Sequence, residues 1–290
     1  MPTPHPAPPI RRLTLADLTA CADLAEERGW AREEHKWALL LAAGTGYGID
    51  APDTDGNGLA AMCVTTSYGP ALTTFGMMIV AARFGRQGLG RRLLTHAMHE
   101  AGDTPFALHA TAQGRPLYEQ LGFHAVGDTH TVHGHFRSPE PPITAHGTAT
   151  TRPATADDLT ALVRLDNEVF GIDRTHLLAR LPSFTDRLRV AEHGTTITGY
   201  AGIWPSTSCD AIAPLIAQDT DTAYALIHAL AAETDRPVRL DIDARHTDLL
   251  DRLKHSGLDL ISSTTTMTRG IPDLPGDWTR RYAPLNLAMG

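Results

Sequence analysis

Residues Met77 through Leu94 impose the strongest constraint on this chain. Apolar Met77, Met78, Ile79 and Val80 read as a strand. The basic loop Gly85-Arg86-Gln87-Gly88-Leu89-Gly90-Arg91 follows, and Leu93 and Leu94 sit in a helix that starts near Gly88. A glycine loop at a helix N-terminus bares successive backbone N–H groups. Those donors and the positive end of the helix dipole suit a diphosphate. Glycine matters there because a Cβ would hold the phosphate off the backbone. The motif requires an α/β arrangement and points to a phosphate-bearing cofactor.

The chain has 290 residues, room for two ordinary domains. With 42% apolar and 20% charged residues it reads as a globular protein with a real core. A net charge of −8 argues against general affinity for nucleic acid. No apolar run approaches the ~20 residues of a membrane span, and Met1 to Pro9 is a proline-rich tail without a signal peptide's apolar core. Cys21, Cys63 and Cys209 are few, odd in number and scattered, which fits free thiols in a reducing cytoplasm.

The chain also repeats itself. Arg11 precedes Ala16-Asp17-Leu18-Thr19-Ala20 and Leu24; Arg152 precedes Asp157-Asp158-Leu159-Thr160-Ala161 and Leu165 at the same offsets. Leu121-Gly122-Phe123 is matched by Ser256-Gly257-Leu258 at a similar separation. The proline-rich and small-residue stretch between Ser138 and Thr150 reads as a linker. Two units are therefore expected, 10–138 and 150–290, each a mixed central sheet flanked by helices. In the first, strands are expected at Arg11–Leu15, Gly58–Ser67, Leu72–Val80 and Phe106–Ala110, with a strand pair over Ala125–Phe136. Its helices are expected at Ala16–Arg28, Glu33–Ala43, Gly88–Ala101 and Arg115–Leu121. The second has comparable parts, and its apolar end, Tyr282–Met289, is expected to dock as a final strand.

These residues resemble the GNAT N-acetyltransferase superfamily, whose cofactor signature is an apolar strand followed by Arg/Gln-x-x-Gly-x-Gly/Ala at a helix start. Val80 through Gly90 follow it, with Gly85 at the Arg/Gln position. A second signature, a tyrosine before Glu-x-Leu-Gly-Phe, appears as Tyr118-Glu119-Gln120-Leu121-Gly122-Phe123. The resemblance covers Arg11 to about Phe136 and extends to tandem members with a divergent second half. It implies a cytoplasmic acyltransferase that moves the acyl group of acetyl-CoA, or another acyl-CoA, to a small amine, amino acid or amine-bearing metabolite. Gly85, Arg86, Gln87, Gly88, Leu89, Gly90 and Arg91 would hold the diphosphate. Backbone groups of Met78, Ile79 and Val80 would meet the pantetheine arm and thioester, and Tyr118 would protonate the departing thiolate.

The strand before the loop offers no carboxylate as general base. Glu33 and Glu34 lie in a region that lines the acceptor cleft in relatives, and a solvated helix start explains them as well. Trp30 suits an acceptor contact or a hydrophobic staple. Asp241, with Asp243, suits a cationic amine or a plain strand end. In the second unit Ala211–Ile216 runs into Gln218-Asp219-Thr220-Asp221 without a glycine pair. Acid repels phosphate, so that unit is expected to bind no cofactor and to wall the acceptor pocket. His130, His133 and His135 do not share one strand face, and no metal site is expected. Two other functions stay open: an acyl-CoA sensor or scaffold without turnover, and acyl transfer from a carrier-bound or aminoacyl-ester donor. No membrane partner is expected, and a homodimer is left open.

Overall fold

The computed structural model describes residues 8–52, 58–137 and 150–290. The first seven residues of the proline-rich tail, and the linker except its last residue, lie outside the described residues. Strand β1 (Ile10–Leu13) leads through a 3-10 turn to α1 (Leu18–Glu27) and α2 (Glu34–Ala43). Then come β2 (Thr45–Asp50), β3 (Leu59–Ser67), β4 (Thr73–Val80), α3 (Leu89–Ala101), β5 (Phe106–Ala110), α4 (Arg115–Gln120) and β6 (His124–Gly134). The second half runs β7 (Thr150–Pro153), α5 (Leu159–Phe170), α6 (Thr175–Leu178), α7 (Leu181–Phe184), β8 (Arg187–His193) and β9 (Thr196–Pro205). It continues with β10 (Asp210–Ala217), α8 (Thr220–Ala231), β11 (Val238–Asp243), α9 (Thr247–His255), β12 (Asp259–Arg269) and β13 (Arg281–Ala283).

The repeat is visible at both starts. Thr14 and Asp17 form a reciprocal capping box, and so do Thr155 and Asp158. In each, the acid also pairs with the arginine of the preceding strand, Arg11 to Asp17 at 2.8 Å and Arg152 to Asp158 at 2.7 Å.

All described strands join one sheet, in the order β1-β2-β3-β4-β5-β12-β6-β11-β10-β9-β8-β7, with β13 paired to β10. The two halves exchange their last long strands. β12 of the second half lies between β5 and β6, and β6 of the first lies between β12 and β11. The expected strand pair over Ala125–Phe136 is instead one strand, His124–Gly134, whose partners both come from the second half. Gly134 permits the crossing, because a Cβ there would stand 2.2 Å from the Gly257 carbonyl oxygen.

Helices α1, α2 and α5–α7 share one apolar core on one face of the sheet. On the other face, α3 and α4 cover the first half and α8 and α9 the second. The first face carries contacts between the halves: the His35 ring stacks on Phe184 at 4.5 Å, and its Nε2 meets the Phe184 carbonyl at 2.7 Å. A buried ion pair ties α5 to the segment after it, Arg174 Nε to Asp166 Oδ1 at 3.0 Å, with the Tyr200 hydroxyl donating to Asp166 Oδ2 at 2.5 Å. Of the expected final strand, Tyr282–Met289, only Tyr282 and Ala283 belong to a strand, β13. The rest of the tail crosses to the first half, where the Tyr68 hydroxyl donates to the Met289 carbonyl. Ala288 lies against Gly76 so closely that a Cβ there would be 2.5 Å from the Ala288 Cβ.

Candidate active site

The strand, loop and helix of the opening motif fold as their residues require. Gly88 stands just before helix α3 as its N-cap and has φ +77, an angle that disfavours any side chain. Arg86, also left-handed at φ 61, completes the turn. No side chain caps the helix, and among the described residues the first-turn amides of Leu89, Gly90 and Arg91 meet no protein acceptor. They face an open cleft of about 560 Å³ lined by Arg28, Val80, Ala81, Gly85, Arg86 and Gly90, among others. Unpaired amides, a helix N-terminus and nearby guanidinium groups fit a diphosphate. Gly90 keeps the approach clear; the nearest atom to a Cβ there would be the Met78 sulfur at 3.6 Å.

Beside this cleft the sheet opens. Parallel β4 and β5 pair only from Thr73↔Phe106 to Phe75↔Leu108. A bulge then re-aims β4: Met77 has φ 51, and the register against β3 shifts between Met62 and Val64. Beyond it Met78, Ile79 and Val80 have no ladder partner on the β5 side among the described residues. Their backbone groups edge the gap, where an extended arm could pair.

The two faces of this gap carry different chemistry. On the α3 and α4 face, Tyr118 packs edge-on against Phe75 at 6.3 Å between ring centroids. Burial pushes its phenol up to about 12, so it stays protonated at neutral pH. On the opposite face lies a cavity whose lining includes Thr74, His109, Thr129, Thr266, Asp243 and Arg281. His109 is a candidate site residue that sequence reasoning missed. It follows Leu108, the last β5 residue paired with β4. Its Nδ1 lies 3.2 Å from Thr129 Oγ1 and 3.3 Å from Thr266 Oγ1. Burial pulls the imidazole down to about 4, against the opposing pull of Asp241 and Asp243. The signal was an ionisable residue in the otherwise apolar run Phe106-Ala107-Leu108-His109-Ala110.

The other predicted residues fall in two groups. Glu33 and Asp241 come together in a buried network between the halves. The Lys36 ammonium touches Glu33, Ser206 Oγ donates to it at 2.6 Å, and Arg239 stands 3.7 Å away. Arg239 also pairs with Asp241 at 2.8 Å, and the Thr131 hydroxyl donates to Asp241 at 2.7 Å. Burial and, second, Arg239 push the Lys36 ammonium pKa down to about 7, against the opposing pull of Asp241. Glu34 pairs with Arg32 at the surface, 3.0 Å apart, and Trp30 is 41% exposed. None of these four is among the residues lining the cavity. Gln87 and Arg91 lie on the exposed loop and first helical turn, and Arg91 donates to Gln120.

The second half carries the same framework with its openings filled. Asp219 caps α8, its side chain accepting from the Thr222 amide at 2.8 Å. β10 leaves β11 after Ala211↔Arg239, and β13 then pairs with the exposed β10 edge at Leu215 and Ile216.

Comparison with known proteins agrees with this architecture. A family profile described as Acetyltransferase (GNAT) domain matches residues 58–137, and another of the same description matches 162–283. The uncharacterized N-acetyltransferase YitH of Bacillus subtilis is 31% identical over 238 residues, 81% of this chain and 82% of that protein. A solved structure from Pyrococcus horikoshii superposes with a TM-score of 0.80 at 18% identity, covering 99% of this chain and 98% of that one. A tandem GNAT protein from the clavulanic acid biosynthesis pathway reaches 0.61 at 12% identity, over 91% and 99%. At such identities the solved structures speak for the fold alone.

The chain belongs to the GNAT acetyltransferase family, as a tandem member, and is an acyltransferase. Among the described residues no helix is long and apolar enough to cross a membrane.

Proposed function

We propose that this protein is a cytoplasmic acetyl-CoA-dependent N-acetyltransferase acting on the primary amine of a small metabolite. The observation that carries this reading is the β4–β5 gap with a protonated phenol on one face and a neutral imidazole in a cavity on the other. In this reading 10–138 binds the donor and 150–290 walls the acceptor cavity. The cavity's open volume is about 50 Å³, a few water molecules' worth at roughly 10–15 Å³ each, which favours a compact acceptor.

Bound acetyl-CoA would supply an acyl group activated as a thioester. The loop from Gly85 to Arg91 holds the diphosphate through its amides, and Met78, Ile79 and Val80 hold the extended arm through backbone groups. His109 donates its Nδ1 proton to the threonine hydroxyls, which leaves Nε2 bare to accept a proton from the amine as the C–N bond forms. Tyr118 gives its phenolic proton to the sulfur as the C–S bond breaks. Glu33 and Asp241 hold the halves together around this site, because their carboxylates are already engaged by neighbours. The capped α8 N-terminus and the β13-filled edge favour a second half without its own donor.

Free thiol release from acetyl-CoA with a panel of small amines tests the reading. Turnover is expected with at least one amine, and Tyr118→Phe is expected to lower kcat about 10²-fold or more with little change in CoA affinity. A wild-type protein that binds CoA yet releases no thiol with any amine would favour the sensor alternative.

A further inference from the structure

Arg281 opens β13 and lines the same cavity as His109. It is only 7% exposed. Among the described residues its one side-chain hydrogen bond runs from Nη1 to the Pro275 carbonyl at 2.9 Å, and no carboxylate lies within ion-pair distance. Its neighbours differ. Buried Arg174 has Asp166, and Arg245 occupies both oxygens of Asp243, the cavity's own carboxylate. Burial pulls the Arg281 guanidinium down to about 10; Arg174 and Arg245 add to that, against Asp243 and Asp273. An unpaired buried cation destabilises a fold. A planar guanidinium with donors to spare in a cavity is the side chain that binds a carboxylate in a fork.

The same cavity lining therefore offers a proton acceptor beside the gap and a buried guanidinium that leans over the Phe170 ring at 5.3 Å and has no carboxylate partner among the described residues. A ligand satisfying both carries an amine and a carboxylate on one small frame. We propose that the acceptor is a free amino acid, its carboxylate bound by Arg281 and its amine directed to His109 and the β4–β5 gap. This rests on the acyl-transfer reading for the amine's fate, but the carboxylate site stands on Arg281 and can be read by binding alone. Apolar Phe170, Ile172, Leu274 and Leu287 are also among the cavity's lining residues and favour an aliphatic side chain over a charged one.

The test is calorimetric titration of the full chain with the free amino acids and, for each, its primary carboxamide. At least one aliphatic amino acid is expected to bind 10-fold or more tighter than its carboxamide. Arg281→Gln is expected to abolish that preference, and Arg281→Lys to retain part of it. CoA binding and melting temperature, measured on each variant, identify any that fails to fold; for such a variant the wild-type preference between acid and amide decides. In turnover assays Arg281→Gln should raise KM for the amino acid at least 10-fold more than it lowers kcat. Equal binding of acids and amides by the wild type, or no binding of either, would overturn the proposal. Acid-selective binding without thiol release would uphold the carboxylate site and reject acyl transfer.

Discussion

Replacing His109 by glutamine is expected to lower kcat by about 10²–10⁴-fold, the range for a positioned general base, with CoA affinity unchanged. Glutamine can still reach the hydroxyls of Thr129 and Thr266, so the side chain stays placed while the proton acceptor is lost. The same substitution has a signature in stability. The folded imidazole titrates near 4, against 6.5 for an ordinary histidine. Between those values the unfolded chain binds more protons, so stability present above pH 6.5 is lost as pH falls towards 4. The shift corresponds to roughly 3 kcal/mol. Urea unfolding of both proteins at pH 7 and pH 4 should show the wild type losing that much more than the variant. Equal losses would mean that His109 is not held neutral by its surroundings. Unchanged kcat would remove it from the chemistry.

The second large effect concerns the exchanged strands. Residues 1–138 made alone are expected to yield no folded monomer. In that fragment β5 loses β12, and β6 loses both β12 and β11. Long, unpaired strand edges promote association, so the fragment should aggregate or pair with itself. Supplying residues 139–290 as a second chain should restore a soluble complex with the circular dichroism of the intact protein. A monomeric, cooperatively melting 1–138 would contradict the exchange. The same arrangement explains why each half helps to form the cavity: Thr129 on exchanged β6 and Thr266 on exchanged β12 both reach the His109 ring nitrogen, and their hydroxyls lie 3.3 Å from each other.

Local pattern carried much of the architecture. Phe106–Ala110 matches its strand residue for residue, and α3 begins one position from the expected start. Strand β2 escaped because Gly44, Gly46 and Gly48 make Thr45–Asp50 read as a turn. They serve close packing instead: a Cβ on Gly46 or Gly48 would stand 2.8 or 2.6 Å from the Leu13 side chain. The exchange of β6 and β12 is a choice of partner far away in sequence, and strand periodicity carries no record of it. The cofactor loop was legible because its chemistry is local: consecutive amides, a helix start and glycines. The acceptor side was not. His109, Thr129, Thr266 and Arg281 meet only after four separate strands have paired. Met77 gave no warning of its left-handed backbone, since nothing about methionine asks for one.

The central claim is that the uncapped start of α3 grips a diphosphate and so sets an acyl thioester in the gap between β4 and β5. Calorimetry of coenzyme A binding to the intact protein and to Gly90→Glu tests it most directly. Glutamate at that position puts bulk and negative charge over the first-turn amides without asking for a left-handed backbone. The account predicts measurable binding by the wild type and a loss of at least 10-fold in the variant, with the melting temperature preserved. Equal affinity in the two proteins, or no heat with the wild type, would contradict it.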